Sequence, residues 1–153
     1  PGRWAIQPAE NLSGVAFFNN TVLGGRSGVD NWFPIAGLAV FNNVFASTEH
    51  PFYFEGGVGE LASNRNLFFE LTSFVPGGTL AGRQAIGHDA DSISADPRFV
   101  DVGAGDLRLA AGSPALGLGR DTGDLDGDGD TTETVPAGAY VTGSEIIGRL
   151  AEP

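Results

Sequence analysis

The densest group of ionisable side chains in the 153-residue sequence lies at residues 121–130, Asp-Thr-Gly-Asp-Leu-Asp-Gly-Asp-Gly-Asp, which contain five aspartates. Carboxylates at this density repel one another unless a cation or water relieves the repulsion. Asp124, Asp126 and Asp128 take the first, third and fifth positions of a calcium loop of the EF-hand type, and Gly129 takes the sixth. The spacing therefore predicts the first half of a calcium-binding loop.

The second half of this loop departs from the calcium pattern. Val135 stands where an EF-hand has its bidentate glutamate, and Glu133 comes two residues early. Two interpretations stay open, a flexible acidic turn and an irregular Ca²⁺ loop. All the candidate ligands are oxygens, which favours calcium over zinc. The predicted ligands are Asp124, Asp126, Asp128, Asp130 and Glu133.

A histidine stands among carboxylates at residues 88–91, His-Asp-Ala-Asp. His88 has the chemistry of a general base, with Asp91 as the carboxylate that would orient it. Arg83 and Arg98 flank the pair in sequence and could bind the carboxylate of a uronic acid. The competing interpretation, which we favour, makes His88 a turn residue in a connection rich in Gly and Ser, so these four residues are candidates and not an assigned catalytic site.

The segments that must position these groups follow a 23-residue repeat. Residues 14–22, Gly-Val-Ala-Phe-Phe-Asn-Asn-Thr-Val, recur as residues 37–45, Gly-Leu-Ala-Val-Phe-Asn-Asn-Val-Phe, and more weakly as residues 60–68. Their β-branched and aromatic residues, with turn residues between them, are typical of strands rather than helices. A unit this short cannot bury its apolar face alone and is typical of one coil of a β-solenoid.

An asparagine occupies the same position in all three repeats, as Asn20, Asn43 and Asn66. Asparagine tolerates the left-handed backbone of a sharp turn. Its side-chain amide can also hydrogen-bond to the same amide one coil away. The repeat therefore predicts an all-β fold with an asparagine ladder along its axis.

The Asn-Asn-x-aromatic coil resembles the parallel β-helix repeats of pectate-lyase-like proteins, and the second half is similar to the closing segment of the group named choice-of-anchor Q. The stretches that carry this resemblance, which covers residues 12–141, are 96–101 (Asp-Pro-Arg-Phe-Val-Asp), 105–109 (Gly-Asp-Leu-Arg-Leu), 112–116 (Gly-Ser-Pro-Ala-Leu), 124–128 (Asp-Leu-Asp-Gly-Asp) and 138–141 (Gly-Ala-Tyr-Val). The last stretch departs from the family, which usually has Gly-Ala-Tyr-Glu there.

The resemblance implies a right-handed parallel β-helix with about three to four coils over residues 1–95. An irregular C-terminal cap over residues 96–153 would close the last coil and protect its strand edges. The fold carries lyases, hydrolases, epimerases, adhesins and inert spacers, so it does not define a function.

The resemblance also implies which face of the main strand is buried. Val15, Phe17 and Asn19 would face the core, as would their counterparts one repeat later, whereas Phe18 and Phe41 would face outward. Related enzymes place catalytic groups on this outer face, which here carries Ala and Phe. Phe18 and Phe41 either lie under a loop or partner or form a stacking platform for sugar rings, and they are the predicted ligand-binding residues.

The composition excludes several classes of function. A net charge of −11 disfavours binding to nucleic acid and to anionic membranes, and no apolar run reaches the ~20 residues of a membrane span. The absence of Cys excludes disulfides and thiolate metal sites, and the absence of Lys excludes lysine-based catalysis. Because the sequence has no Met, we expect it to be a piece of a longer protein, and the missing Cys fits an exported bacterial protein.

Two hypotheses of function follow. The first is a non-catalytic end module of a secreted or cell-surface bacterial protein, with a scaffold, adhesion or carbohydrate-contact role and with self-association, end to end or by face stacking, as a further expectation. The second is the C-terminal part of a polysaccharide lyase or glycoside hydrolase that acts on an acidic polysaccharide.

Overall fold

The computed structural model describes residues 4–7, 12–55, 59–74 and 78–141, and almost all of its regular elements are short β-strands. In chain order the elements are β1 (Trp4–Ile6), β2 (Val15–Phe18), β3 (Thr21–Leu23), β4 (Ser27–Asn31), β5 (Leu38–Phe41), β6 (Val44–Ala46), β7 (His50–Phe54), β8 (Leu61–Asn64), β9 (Leu67–Phe69), α1 (Leu80–Ala85), β10 (Ile93–Ser94), β11 (Phe99–Asp101), β12 (Asp106–Leu109), β13 (Gly119–Arg120) and β14 (Thr134–Val135).

The repeat strands stack in parallel into three sheets. Sheet A contains β1, β4 and β7, sheet B contains β2, β5 and β8, and sheet C contains β3, β6, β9 and β10. Within sheet B, Val15 pairs with Leu38 and Leu38 with Leu61, which is the 23-residue shift of the sequence repeat. The chain thus winds as a β-solenoid of about three turns, and the predicted parallel β-helix is confirmed.

Phenylalanine rings stacked along the axis form the centre of the core. Phe45 is fully buried between Phe17 and Phe68, with ring centroids 6.2 and 5.7 Å away. Successive side chains of a strand point to opposite faces, so Phe17 is buried whereas Phe18 is exposed. The same alternation in β5 confirms the predicted inner and outer faces of the main strand.

The first Asn of each Asn-Asn pair makes the turn from sheet B to sheet C. Asn19 and Asn42 have left-handed φ values of 52° and 58°, and Arg65 takes this position in the third coil with φ 56°. Asn42 does not face the core, because its side chain bonds to the backbone of Arg120 in the closing segment. The expectation of an inward Asn42 was wrong because the strand ends at Phe41, where the alternation stops.

The second Asn of each pair forms the predicted ladder. Asn20 Nδ2 donates to Asn43 Oδ1 at 3.1 Å, and Asn43 Nδ2 donates to Asn66 Oδ1 at 3.0 Å. The backbone N–H groups of Asn20 and Asn43 donate to the same two oxygens. Ser92 takes the next rung, since its Oγ accepts from the backbone N–H of Asn66 at 2.9 Å.

The coil after β9 is longer than the others and contains α1. Leu67 of β9 pairs with Ile93 of β10, a shift of 26 residues. The side chain of Thr79 caps the helix by accepting from the backbone N–H of Gly82, as short polar side chains do at helix N-termini. No helix in the described residues is long and apolar enough to cross a membrane.

A buried ion pair closes the end of the core. Arg83 and Asp89 are fully buried, with Arg83 Nε 2.6 Å from Asp89 Oδ2. The guanidinium lies over the ring of Phe52, 4.7 Å from its centroid. Ser63 and Ser92 donate their hydroxyls to the other Asp89 oxygen at 2.7 and 2.8 Å. These contacts compensate for the lost hydration of a charged pair at the end of an apolar stack.

The described part of the predicted closing segment, residues 96–141, lies along the flank of the coils, and residues 142–153 are outside the described residues. Its strands form two antiparallel pairs, β11 with β12 and β13 with β14. Ala115 and Ala137 pack against Val44 and Leu67 of sheet C. The segment expected to form an irregular cap therefore runs along the side of the coils, and we call it the lateral strap. The Arg83–Asp89 pair closes the end of the core instead.

Gly138 fastens this strap to the first two coils. Its N–H donates to the carbonyl of Asn42 at 2.8 Å, and the N–H of Ala139 donates to Thr21 Oγ1 at 3.0 Å. Gly138 has φ +101°, and a Cβ there would lie 2.8 Å from Thr21 Oγ1. Only glycine allows this approach.

Candidate functional site

Phe18 and Phe41 line a cleft of about 330 Å³ between the outer face of sheet B and the closing segment. Their ring centroids are 5.7 Å apart with the planes tilted by 58°, and Phe18 keeps 42% of its surface exposed. Asn64 follows Phe41 in register on β8. The outer column of sheet B therefore changes from aromatic to polar in the third coil.

Asn64 and Asp91 form the polar wall of the cleft. Asn64 Nδ2 donates to Asp91 Oδ2 at 3.0 Å, and the backbone N–H of Asp91 donates to Asn64 Oδ1 at 2.7 Å. Arg65 Nη2 lies 3.6 Å from Asp91 Oδ2, and Arg65 Nη1 donates to the carbonyl of Leu118 at 3.3 Å. The Asp91 side chain is 57% exposed, so its carboxylate has acceptor capacity left for a ligand.

The closing segment supplies the opposite wall through Arg120 and Thr122. Asn42 holds Arg120 by its backbone, with Asn42 Nδ2 donating to the Arg120 carbonyl at 2.7 Å and the Arg120 N–H donating to Asn42 Oδ1 at 3.1 Å. The Arg120 side chain is exposed, and no carboxylate in the described residues forms an ion pair with it. This guanidinium is available to an anionic group.

The cleft offers an aromatic surface next to hydrogen-bond donors and acceptors. A ring with apolar C–H faces and hydroxyl edges matches such a site, because the faces pack on aromatic rings and the edges bond to amide, carboxylate and guanidinium groups. Its volume lies at the lower end of the ~300–1,000 Å³ found for small-molecule sites. Two arginines and one aspartate line the cleft, on a chain of net charge −11.

Three of the four catalytic candidates, Arg83, Asp91 and Arg98, make other contacts. No hydrogen bond or ion pair between described residues joins His88 to Asp91, whose carboxylate is engaged by Asn64 and Arg65. The guanidinium of Arg83 is buried in the core.

Arg98 has a local role in the closing segment. Its Nη1 donates to the carbonyl of Gly112 at 3.0 Å, and its backbone is left-handed with φ 53°. Of the four candidates, Asp91 alone lines the cleft. The general-base chemistry of His88 stays a prediction.

The acidic loop brings its carboxylates into two groups whose ligand atoms lie within 4.8 Å of one another. One contains Asp121, Asp124 and Asp126, and the other contains Asp126, Asp128 and Glu133. Asp126 belongs to both. Four of the five predicted ligands therefore lie near a second carboxylate, and binding of Ca²⁺ stays a prediction.

Asp130, a predicted ligand, lies outside both groups, whereas Asp121, which was not among the predicted ligands, belongs to one of them. Asp130 Oδ1 accepts from the backbone N–H and the hydroxyl of Thr132, at 2.8 and 2.7 Å, and lies outside both groups. Asp121 is 1% exposed and accepts from the backbone N–H groups of Gly123 and Leu125. Asp121 therefore anchors the start of the loop as well as joining a carboxylate group.

Repulsion among these carboxylates changes their acidity. Asp128 does most to raise the pKa of Glu133 above its usual range, followed by desolvation and by Asp126. The pKa of Asp130 is lowered instead, because the hydroxyl and N–H of Thr132 donate to its ionised form. A cation at the second group would remove the main cause of the Glu133 shift.

Sequence reasoning missed Asn64, Arg65, Arg120 and Thr122 as cleft residues. Asn64 could have been predicted from the sequence, because the 23-residue register places it in the same outward column as Phe18 and Phe41. Arg120 and Thr122 had no signal in the sequence, because their position depends on how the closing segment packs against Asn42.

No known protein family, curated protein or solved structure matches this chain in the comparisons made. The class of the protein is therefore defined by its fold and its cleft alone, without a related protein. It is a β-solenoid of about three turns with a lateral strap and a mixed aromatic and polar cleft.

Proposed function

We propose that this chain is a non-catalytic end module of a secreted bacterial β-solenoid protein and that the cleft at Phe18 and Phe41 contacts carbohydrate. The observation that carries the proposal is the pair of outward rings, 5.7 Å apart, in a cavity also lined by amide, carboxylate and guanidinium groups. Aromatic residues with a few polar groups around them are the usual lining of a ligand site. The acidic composition and the absence of Cys support the extracellular location.

The charges of the cleft favour a sugar that carries carboxylates. Arg120 has an exposed guanidinium with no ion-pair partner in the described residues, and Arg65 reaches Asp91 only at 3.6 Å. Guanidinium groups bind carboxylates bidentately. Oligouronates should therefore bind more tightly than neutral oligosaccharides of the same length, with the difference reduced by salt.

Isothermal titration of the full chain with a galacturonate hexasaccharide and a glucose hexasaccharide tests the proposal. Phe18→Ala should weaken uronate binding at least tenfold, which corresponds to ~1.4 kcal/mol. Phe33→Ala is the matched control, because Phe33 is 40% exposed, close to the 42% of Phe18, and does not line the cleft. Equal weakening by both substitutions, or no heat with either sugar, would remove the carbohydrate-contact role.

The same preparation tests the catalytic alternative. Incubation with polygalacturonate should release neither reducing ends nor unsaturated products. Product release that disappears in a His88→Gln variant would replace the non-catalytic proposal with that of a lyase or hydrolase. Release that persists in this variant would point to a catalytic group outside the four candidates and would equally contradict the non-catalytic role.

Self-association is the last part of the proposed function. Sedimentation of the full chain over a range of concentrations tests it, and a monomer at all concentrations would contradict it.

A further inference from the structure

Two side chains of opposite charge line the cleft without pairing with each other. Arg120 and Asp91 both border the cavity, yet no ion pair between described residues joins them. A cationic and an anionic group that share a cavity and stay apart leave room for a ligand between them. Such a ligand needs an anionic group for the arginine and hydrogen-bond donors for the aspartate.

Asp91 is held through one of its two carboxylate oxygens. Asn64 Nδ2 donates to Asp91 Oδ2 at 3.0 Å, and Arg65 Nη2 lies 3.6 Å from the same atom. The backbone N–H of Asp91 donates to Asn64 Oδ1 at 2.7 Å, which fixes the residue further. Among the described residues no donor reaches Asp91 Oδ1, and the side chain is 57% exposed. Asp91 therefore presents one positioned oxygen with both lone pairs free.

Arg120 is held by its backbone, which leaves its guanidinium to a ligand. Its carbonyl accepts from Asn42 Nδ2 at 2.7 Å, and its N–H donates to Asn42 Oδ1 at 3.1 Å. In the described part of the chain no acceptor takes a hydrogen bond from the guanidinium. Its full set of donors matches a carboxylate bidentately.

Arg65, the other arginine of the cleft, is less suited to an anionic ligand. Its Nη1 donates to the carbonyl of Leu118 at 3.3 Å, and its Nη2 lies beside the Asp91 carboxylate. A ligand carboxylate at Arg65 would also meet the negative charge of Asp91, which repels it. An anionic group in the cleft is therefore directed to Arg120.

A uronate ring carries the groups that match these two residues on opposite edges. Its carboxylate is attached at one edge of the pyranose, and the hydroxyls on C2 and C3 project from the other edge. When the carboxylate lies on Arg120 and a ring face packs on Phe18 and Phe41, the hydroxyl edge points away from Arg120. The free acceptor for that edge is Asp91 Oδ1. Hydrogen bonds to an ionised carboxylate are about twice as strong as those between neutral groups.

We propose that Asp91 determines the specificity of the cleft by accepting hydrogen bonds from the C2 and C3 hydroxyls of a uronate ring whose carboxylate lies on Arg120. The inference rests on the proposed carbohydrate contact and adds the orientation of the ring and the substituents that it tolerates. An acetylated hydroxyl has no proton to donate and would leave Asp91 Oδ1 without a partner beside an apolar group. Rings with free hydroxyls on this edge are therefore preferred to acetylated rings.

Isothermal titration with modified sugars tests the role of Asp91. The probes are the galacturonate hexasaccharide, the same chain with its carboxylates reduced to alcohols, and the same chain with its C2 and C3 hydroxyls replaced by hydrogen. Each modification should weaken binding to the wild-type chain roughly tenfold, because each removes hydrogen bonds to a charged group. In Asp91→Asn, loss of the hydroxyls should have little further effect, whereas reduction should still weaken binding fully. Arg120→Gln should show the converse.

This crossed pattern separates a specificity role from a structural one, since a structural role would weaken all three probes by the same factor. An unchanged effect of hydroxyl loss in Asp91→Asn, or no effect of hydroxyl loss on the wild-type chain, would overturn the role of Asp91. If Phe18→Ala still weakens the unmodified probe in that case, the proposed carbohydrate contact stands without it. Failure of every probe to bind would contradict the proposed function, and the role of Asp91 with it.

Asp101→Asn and Arg108→Gln are the matched controls, because both residues are exposed and neither lines the cleft. Both variants should bind the three probes as the wild-type chain does. Circular dichroism checks the fold of each variant. The comparison of the three probes on the wild-type chain needs no variant, so it tests the hydroxyl contact even if Asp91→Asn fails to fold.

Discussion

The asparagine ladder makes a quantitative prediction, because its rungs are chemically identical but differ in burial. Asn43 is fully buried, and its side chain takes part in five hydrogen bonds. Its Nδ2 donates to the carbonyls of Phe17 and Phe41, both at 2.8 Å. Asn20 is half-buried at the edge, and its side chain makes two hydrogen bonds. Replacement by Ala should therefore cost much more at Asn43 than at Asn20.

The size of the difference follows from the groups left without partners. In Asn43→Ala, the N–H of Asn20 and the carbonyl of Phe17 lose their side-chain partner inside the coil. Each buried group left unsatisfied costs ~1–3 kcal/mol, so the total loss of unfolding free energy should be roughly 3–5 kcal/mol. Asn20→Ala should cost about 1 kcal/mol, because water replaces part of what is lost.

Urea unfolding of the full chain, followed by far-ultraviolet circular dichroism, measures both losses. The midpoint of Asn43→Ala should fall well below that of Asn20→Ala, with similar slopes. Equal midpoints for the two variants would refute the reasoning, because the ladder would then not contribute through buried hydrogen bonds.

Arg83→Leu should lower the free energy of unfolding by roughly 3–5 kcal/mol, because Asp89 becomes a buried charge without its partner. A loss no greater than that of Asn20→Ala in the same urea experiment would contradict the proposed closure of the core. Saturating Ca²⁺ should raise the Tm of the wild-type chain. Asp126→Asn should remove most of this rise, because Asp126 belongs to both carboxylate groups. An equal rise in the variant would argue against the acidic loop as the Ca²⁺ site. In chelator, Glu133→Gln should raise the Tm near neutral pH, because the raised pKa of Glu133 means that ionisation destabilises the fold. That gain should vanish as the pH falls below 4.5, where the carboxyl is protonated in both states; a gain that persists there would refute the repulsion.

The repeated part of the fold was predictable because each coil packs on a copy of itself. One aligned column, Asn20, Asn43 and Asn66, predicts both the register and the ladder. The alternation in β2 and β5 predicts that Phe17 is buried and Phe18 exposed. In a solenoid, contacts between neighbours repeat at a fixed sequence distance, so a single sequence reveals them.

The cleft was predictable only in part, because its second wall comes from a segment without repeats. Phe18 and Phe41 followed from the coil pattern, whereas Arg120 reaches the site through two hydrogen bonds to Asn42, 78 residues away in sequence. The closure of the core by Arg83 and Asp89 was hidden for the same reason. The spacing of the acidic loop predicted a cluster of carboxylates. It could not show that the hydroxyl of Thr132 donates a hydrogen bond to the Asp130 carboxylate.

Titration of the ¹⁵N-labelled full chain with a galacturonate hexasaccharide, followed by nuclear magnetic resonance, tests the central claim most directly. Binding in the cleft should shift the amide signals of the residues that line it and leave those of α1 and β7 unchanged. The residues expected to shift are Phe18, Phe41, Asn42, Asn64, Arg65, Asp91, Arg120 and Thr122. Shifts confined to another surface, or no shifts at saturating sugar, would contradict the proposed carbohydrate contact.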